Sequence, residues 1–173
     1  SKNAVILKNC ICAKTRFPFG FPTKSRTPPL FLIAWIINVI RSMGFTIQFI
    51  RVDEDGALAR SAGFTTLLLQ MNPPIILETT GGYNSINNGK VEISHKLNAN
   101  MVHSNLATLQ CMIDHLLPSN LPIQHFWCFA YVHGNNVSRR LYHKALMMSP
   151  LEAAFNQKPD VQNCFIFGSQ LTI

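Results

Sequence analysis

The spacing of apolar positions changes several times along the chain, and each change marks an element. Ala4 to Cys12 is nearly continuous in apolar residues, which reads as a strand buried mostly on both faces. After a turn at Ala13-Lys14-Thr15, Arg16 to Phe21 alternates and reads as the hairpin partner. Pro18 keeps that partner at a sheet edge, because proline cannot donate to a ladder. Thr23 to Pro29 is a basic, proline-rich connection. Leu30 to Met43 reads as a buried helix, opened by Pro28 and Pro29 and ended by Gly44. Phe45 to Val52 is a second buried strand, closed by Asp53 and followed by an Asp55-Gly56 turn. Ala57 to Gln70 carries Phe64, Leu67 and Leu68 at helical spacing, with Ser61 as a candidate cap, until Asn72-Pro73-Pro74 stops it. Ile75 to Glu78 is a short strand.

From Gly89 the pattern turns helical. Val91, His95 and Asn98 form one stripe, and Leu97, Met101, Leu109, Met112, Ile113 and Leu116 another, with a break into two halves expected near Ser104-Asn105. Pro118 and Pro122 bracket an interruption. Gln124 to Tyr142 reads as a further helix, aromatic at its start and weakened by Gly134-Asn135-Asn136. Its aromatic residues, Phe126, Trp127, Phe129 and Tyr131, read as core packing rather than a base-stacking platform. Ser149-Pro150-Leu151-Glu152 is a capping-type helix start. Phe165 to Ile173 looks like the beginning of a strand. Strands alternating with helices, then helices alone, predict an α/β layered architecture with mixed strand directions.

Composition narrows the class. The chain has 173 residues, 47% hydrophobic and 13% charged, enough for one domain with a real core and too apolar for disorder. Beginning at Ser1 without Met, it reads as a fragment or a processed product. The longest apolar run, Leu30 to Ile37, is too short to span a bilayer and lies too far in for a signal peptide, which suggests an intracellular protein, nuclear or cytoplasmic, rather than a secreted one. Net charge is +7, unevenly spread: residues 1–52 hold eight Lys/Arg and no Asp or Glu, whereas residues 53–78 hold four acids and one Arg. A basic front half beside an acidic patch fits a polyanion partner near a cation site; it fits a merely basic surface equally well. The five cysteines form no CxxC and the six histidines no metal-ligand spacing, so zinc is not indicated, and the thiols read as buried. Arg139-Arg140 reads as a solvated pair.

The stretch Glu78 to Lys96, ETTGGYNSINNGKVEISHK, has the most chemical character. A strand runs into a Gly/Asn/Ser/Thr loop, and the loop enters a helix expected to carry Glu92 in its first turn. Asp53 and Glu92 thus close or open different elements, 39 positions apart in sequence. Carboxylates so placed can hold Mg²⁺ or Mn²⁺ through oxygen, and with a third they can hold two cations for phosphodiester chemistry. On spacing alone the bland reading leads: Asp53 as a turn residue with Asp55, Glu92 as an acid favoured by the helix dipole.

At these residues the sequence resembles a family, the integrase core of copia-type LTR retrotransposons. RVDEDGALARSAGF is similar to the block R-D-x-G-E-F around a catalytic Asp, here Asp53. ETTGGYNSINNGKVEISHK resembles E-T-x-x-Y-x-x-x-x-N-G-x-x-E, which carries the catalytic Glu, here Glu92. LPIQHFWCFAYVHGNNVSRRLYHKAL resembles LP-x-x-FW-x-x-A, SPLEAAFNQKP resembles T-P-x-E-x-x-x-x-x-K-P, and FIFGSQ resembles the closing FG-C/S. The matches run in order from about Lys14 to the C-terminus. The resemblance implies an RNase H-like fold, a mixed sheet with helices packed on it. It also implies a metal-dependent polynucleotidyl transferase that trims retroelement cDNA ends and joins them to target DNA, with Asp53 and Glu92 as catalytic and metal-binding residues. Lys96, one turn after Glu92, Lys90 and Asn88 would face DNA; for Lys96 a plain intrahelical pair with Glu92 reads equally well. Residues 1–157 would form the core and 158–173 the start of a connecting segment, with DNA and a homo-oligomer as partners and no membrane.

Two departures qualify the expectation. The family uses three carboxylates, and residues 1–52 contain none. The best fit matches Cys12-Ala13-Lys14-Thr15-Arg16 to the family's D-x-x-T/S-R turn. That places the first strand and its Asp before residue 1, leaving ladder groups exposed and implying marginal stability or a rearranged sheet; if Ala4 to Cys12 is instead the first strand, the catalytic Asp has been replaced. EISHKL is also less basic than the family's E-R-x-x-R. The chain therefore reads as an inactive integrase core with weakened or no cation binding, with a non-enzymatic DNA-binding or vestigial retroelement remnant as the alternative.

Overall fold

The computed structural model describes residues 6–24, 29–53, 56–80, 85–116, 122–162 and 164–169. Strands β1 (Ile6–Ile11) and β2 (Pro18–Thr23) form one two-stranded sheet, and β3 (Phe49–Asp53) and β4 (Ile76–Thr80) form another. The helices are α1 (Leu30–Ser42), α2 (Ala62–Gln70), α3 (Ser85–Leu116), α4 (Trp127–Arg140) and α5 (Pro150–Phe155), with a 3₁₀ turn over Ile123–Phe126 leading into α4. The chain divides into two compact units, one of residues 1–8 and 23–90, the other of residues 9–22 and 91–173.

The first unit is a parallel strand pair backed by two helices. β3 and β4 run in register from Phe49↔Ile76 to Asp53↔Thr80. Because Ile76 N–H donates to Gln48 O at 2.9 Å, the alternation of a parallel ladder turns the backbone of Ile50 and Val52 toward β4 and that of Phe49, Arg51 and Asp53 away. The core is Ile33 and Ile37 of α1, Phe64 and Leu68 of α2, and Ile75, with Ile50, Val52 and Leu77 packed against it from the strands. Local chemistry sets the helix ends. Gly44 takes φ +80° and returns its N–H to Arg41 O at 2.9 Å, stopping α1 where only glycine enters the left-handed region without strain. Ser61 Oγ accepts Phe64 N–H at 3.2 Å and caps α2. The expected helix start at Ala57 is corrected: residues 57–60 form turns, and the cap decides the boundary. The strand expected from Phe45 likewise begins only at Phe49.

The second unit is centred on Tyr131, which has no exposed surface. Asn98 of α3 donates its Nδ2 to Asn135 Oδ1 at 2.9 Å, and Asn135 Nδ2 donates to Tyr131 O at 3.3 Å. Asn98 Oδ1 is buried without a partner, an uncommon state that costs about 1–3 kcal/mol. Asn135 therefore belongs to the core rather than to a weak point of α4, and Gly134 admits Met101 of α3, whose Cβ would lie 3.2 Å from an added methyl. On β2, a Cβ at Gly20 would strike Asn135 Nδ2 and Tyr131 Oη, so strand and helix meet where only glycine fits. Ser149 Oγ caps α5 through Glu152 N–H at 3.0 Å, as its sequence predicts.

Several expectations are corrected here. α3 runs unbroken past Ser104-Asn105, because Asn105 Nδ2 donates to Ala130 O of α4 at 3.1 Å instead of competing for its own backbone. Val91, His95 and Leu97 are exposed, and the buried stripe is Asn98, Val102 and Leu109. Arg139 is not a solvated side chain: its Nε donates to Pro18 O at 3.0 Å and its guanidinium lies 4.6 Å from the Phe17 ring centre. Phe129 is 67% exposed, so the aromatic cluster is only partly core. Cys10, Cys111 and Cys164 are exposed rather than buried. Residues 164–169 form a turn around Gly168 and no strand.

Gly20→Ala should cost about 1–3 kcal/mol in urea unfolding by overpacking the β2–α4 contact. Gly63→Ala, whose new methyl first meets the flexible Leu30 Cδ1 at 3.2 Å, should be neutral or stabilising by up to about 1 kcal/mol. Equal effects would contradict the packing account. Burial raises the Tyr131 phenol pKa, against the hydrogen bonds from Asn135 and Asn98 that lower it. With the folded pKa above the unfolded one, this contribution is fully present below the ordinary phenol value of about 10 and is lost as pH rises through the folded value. The stability of Tyr131→Phe relative to the parent should therefore improve above about pH 10; a constant difference would contradict it.

Candidate functional site

Asp53 is the last residue of β3, exposed, at the carboxyl end of the parallel pair. Its carbonyl accepts Gly56 N–H at 2.9 Å. Two positions earlier, Arg51 Nε and Nη2 both reach Glu78 Oε2, at 3.2 and 3.0 Å, across the β3–β4 pair. Glu78 is not among the residues that the sequence singles out for chemistry. The parallel register places it opposite Arg51, which partly neutralises it and leaves Asp53 as the unpaired carboxylate on β3. Both side chains of this ion pair are about 40% exposed, so it adds little to stability, on the order of 0–1 kcal/mol.

Glu92 lies on α3 and is exposed. Its expected place in the first turn of the helix is corrected: α3 starts at Ser85, and its first turn holds no acid. The Asn87-Asn88-Gly89 run that reads as a loop is helical, although Gly89 costs about 1 kcal/mol relative to alanine there. The macrodipole explanation of Glu92 loses its ground, because the dipole effect is confined to the first turn. Lys90 and Lys96 are exposed on the same helix, and Glu92 makes no ion pair with Lys96, so the intrahelical pairing expected as one reading is not formed. Asn88 is in the first turn of α3. Gly81, Gly82 and Asn84 of the preceding loop lie outside the described residues.

Asp53 belongs to the first unit and Glu92 to the second. Among the described residues, no group of three His, Cys, Asp or Glu is placed to hold a metal ion. The residues present thus offer two exposed carboxylates where a pair of divalent cations is held by three or more oxygen ligands, and they do not fit a two-cation centre. A cavity of about 270 Å³ lies in the second unit between α4 and residues 164–169, lined by His133, Asn136, Arg140 and Phe167 among others. Burial there lowers the His133 pKa and favours the neutral imidazole. The cavity contains neither carboxylate. No described helix is long and apolar enough to cross a membrane.

Comparison with solved structures finds the same mixed α/β fold in a chain of the cryo-EM structure of the simian T-cell lymphotropic virus intasome in complex with PP2A regulatory subunit B56 gamma. The match has a TM-score of 0.62 at 16% identity and covers 87% of this chain. The chain spans about half, 48%, of the length of that match. No family model matches the sequence, and no curated protein does. At this identity the likeness is one of fold alone, compatible with an integrase-like fold.

Proposed function

We propose that this chain is the catalytic-core portion of a copia-type retroelement integrase, RNase H-like in fold, which binds DNA and is inactive in cleavage and strand transfer as it stands. The observation that supports this reading best is the fold likeness over 87% of the chain to a chain in an intasome structure, beside the ordered sequence blocks around Asp53 and Glu92. Asp53 and Glu92 are each proposed as an oxygen ligand for Mg²⁺ or Mn²⁺. In the intact family such cations would activate a water or a DNA 3′-hydroxyl and steady the leaving oxygen in an in-line displacement. Lys96 and Lys90 supply phosphate contacts from the exposed face of α3, and Asn88 lies on the same helix. The number of ligands among the described residues favours a second reading, a DNA-binding remnant with no metal function.

A short duplex titrated by fluorescence anisotropy across NaCl concentrations tests the shared claim. Affinity should fall linearly on a log–log salt plot, and Lys96→Glu should weaken binding and reduce the slope by about 1. Binding that ignores salt, or is unchanged by Lys96→Glu, would remove α3 from the DNA interface.

A further inference from the structure

The connection between α4 and α5 is a fixed loop that turns apolar groups outward. His143 N–H donates to Met148 O at 3.0 Å in an isolated antiparallel bridge. Leu146 and Met147 both return their N–H groups to His143 O, at 2.9 and 3.0 Å, and Met147 takes φ 56°. Tyr142 Oη donates to Met147 Sδ at 3.1 Å, holding the two tips together. Leu141 N–H donates to Val137 O at 3.2 Å at one end, and the buried Ser149 caps α5 at the other. In this frame Leu141 is 49% exposed, Tyr142 63%, Met147 73% and Met148 38%. Single exposed apolar side chains are ordinary; four within eight residues, two of them in contact, make a patch.

The patch is flanked by cations. Lys144 is exposed in the turn, and Arg140 stands at the entry with Nη1 on Asn136 O. The sequence has no Asp or Glu between Asp114 and Glu152.

We propose that this loop is a docking surface for an acidic protein segment with an apolar anchor: a Leu or Phe seated between Tyr142 and Met147, and carboxylates meeting Lys144 and Arg140. Three arguments select this occupant. Tyr, Met and Arg are enriched where proteins meet proteins, and thioethers adapt to the anchor's shape. Nucleic acid would use Tyr142 and the cations but leave Leu141, Met147 and Met148 without a role. A second copy docked face to face would set Lys144 and Arg140 against themselves, with no acid in the loop to offset them.

The test uses the whole chain and a fluorescein-labelled synthetic peptide carrying Leu and Phe among glutamates, read by anisotropy. The peptide should bind. Met147→Ser and Lys144→Glu should each weaken it ~10-fold, the scale of an interface hot spot, and a peptide with Gln for Glu should lose as much. Lys158→Glu, the same charge change at an exposed site outside the loop, should leave the affinity unchanged. Circular dichroism should be identical for all variants, since the substituted side chains are exposed. Absent peptide binding, equal binding by every variant, duplex DNA affinity that falls with Met147→Ser, or self-association lost in Met147→Ser would each overturn the proposal.

Discussion

The β3–β4 ladder and the side chains behind it are the constraint on which the candidate chemistry rests. Two strands in parallel are a weak unit alone, because their hydrogen bonds are slanted and a face left to water gains nothing. Here one face is closed by Ile33, Ile37, Phe64 and Leu68, with Ile75 at the entry to β4. That packing fixes the register, and the register puts Arg51 opposite Glu78 and Asp53 opposite Thr80. Arg51 partly neutralises the acid within its reach, and Asp53 is left exposed at the strand end. The position of the candidate ligand thus follows from the apolar packing of its strand neighbours Val52 and Ile50.

The second unit solves a different packing problem. α3, α4 and β2 meet at Tyr131, Asn98, Asn135 and Gly20, where a phenol and two amides replace an apolar centre. Buried polar groups specify one arrangement only when their partners are placed correctly, and the unpartnered Asn98 Oδ1 shows what this arrangement costs. Arg139 extends the same logic, its guanidinium held between the Pro18 carbonyl and the Phe17 ring. The unit that carries Glu92 and Lys96 on an exposed stretch of helix is therefore anchored farther along that helix, from Asn98 onward.

Sequence reasoning reached what local chemistry decides. Gly44, Ser61 and Ser149 each mark a helix end, because a left-handed turn or a side-chain cap is written in one residue. It failed where distant contacts decide. Asn87-Asn88-Gly89 reads as a loop by propensity yet is helical, and Asn105 reads as a breaker until its amide finds Ala130 O. Arg139 looks solvated, and Asn135 looks like a weak point of its helix, because Pro18 and Asn98 lie on elements remote in sequence. The mixed α/β class was legible from the alternation of strands and helices; the pairing of Glu78 with Arg51 was not, since it depends on register. The cysteines' exposure had no signal in composition at all.

We propose Asp53 and Glu92 as divalent-cation ligands. Isothermal calorimetry of Mn²⁺ and Mg²⁺ on the parent chain, Asp53→Asn and Glu92→Gln tests this most directly. The account predicts weak binding by the parent that disappears in each variant. Binding that survives in both variants, or is absent from all three proteins, would contradict it.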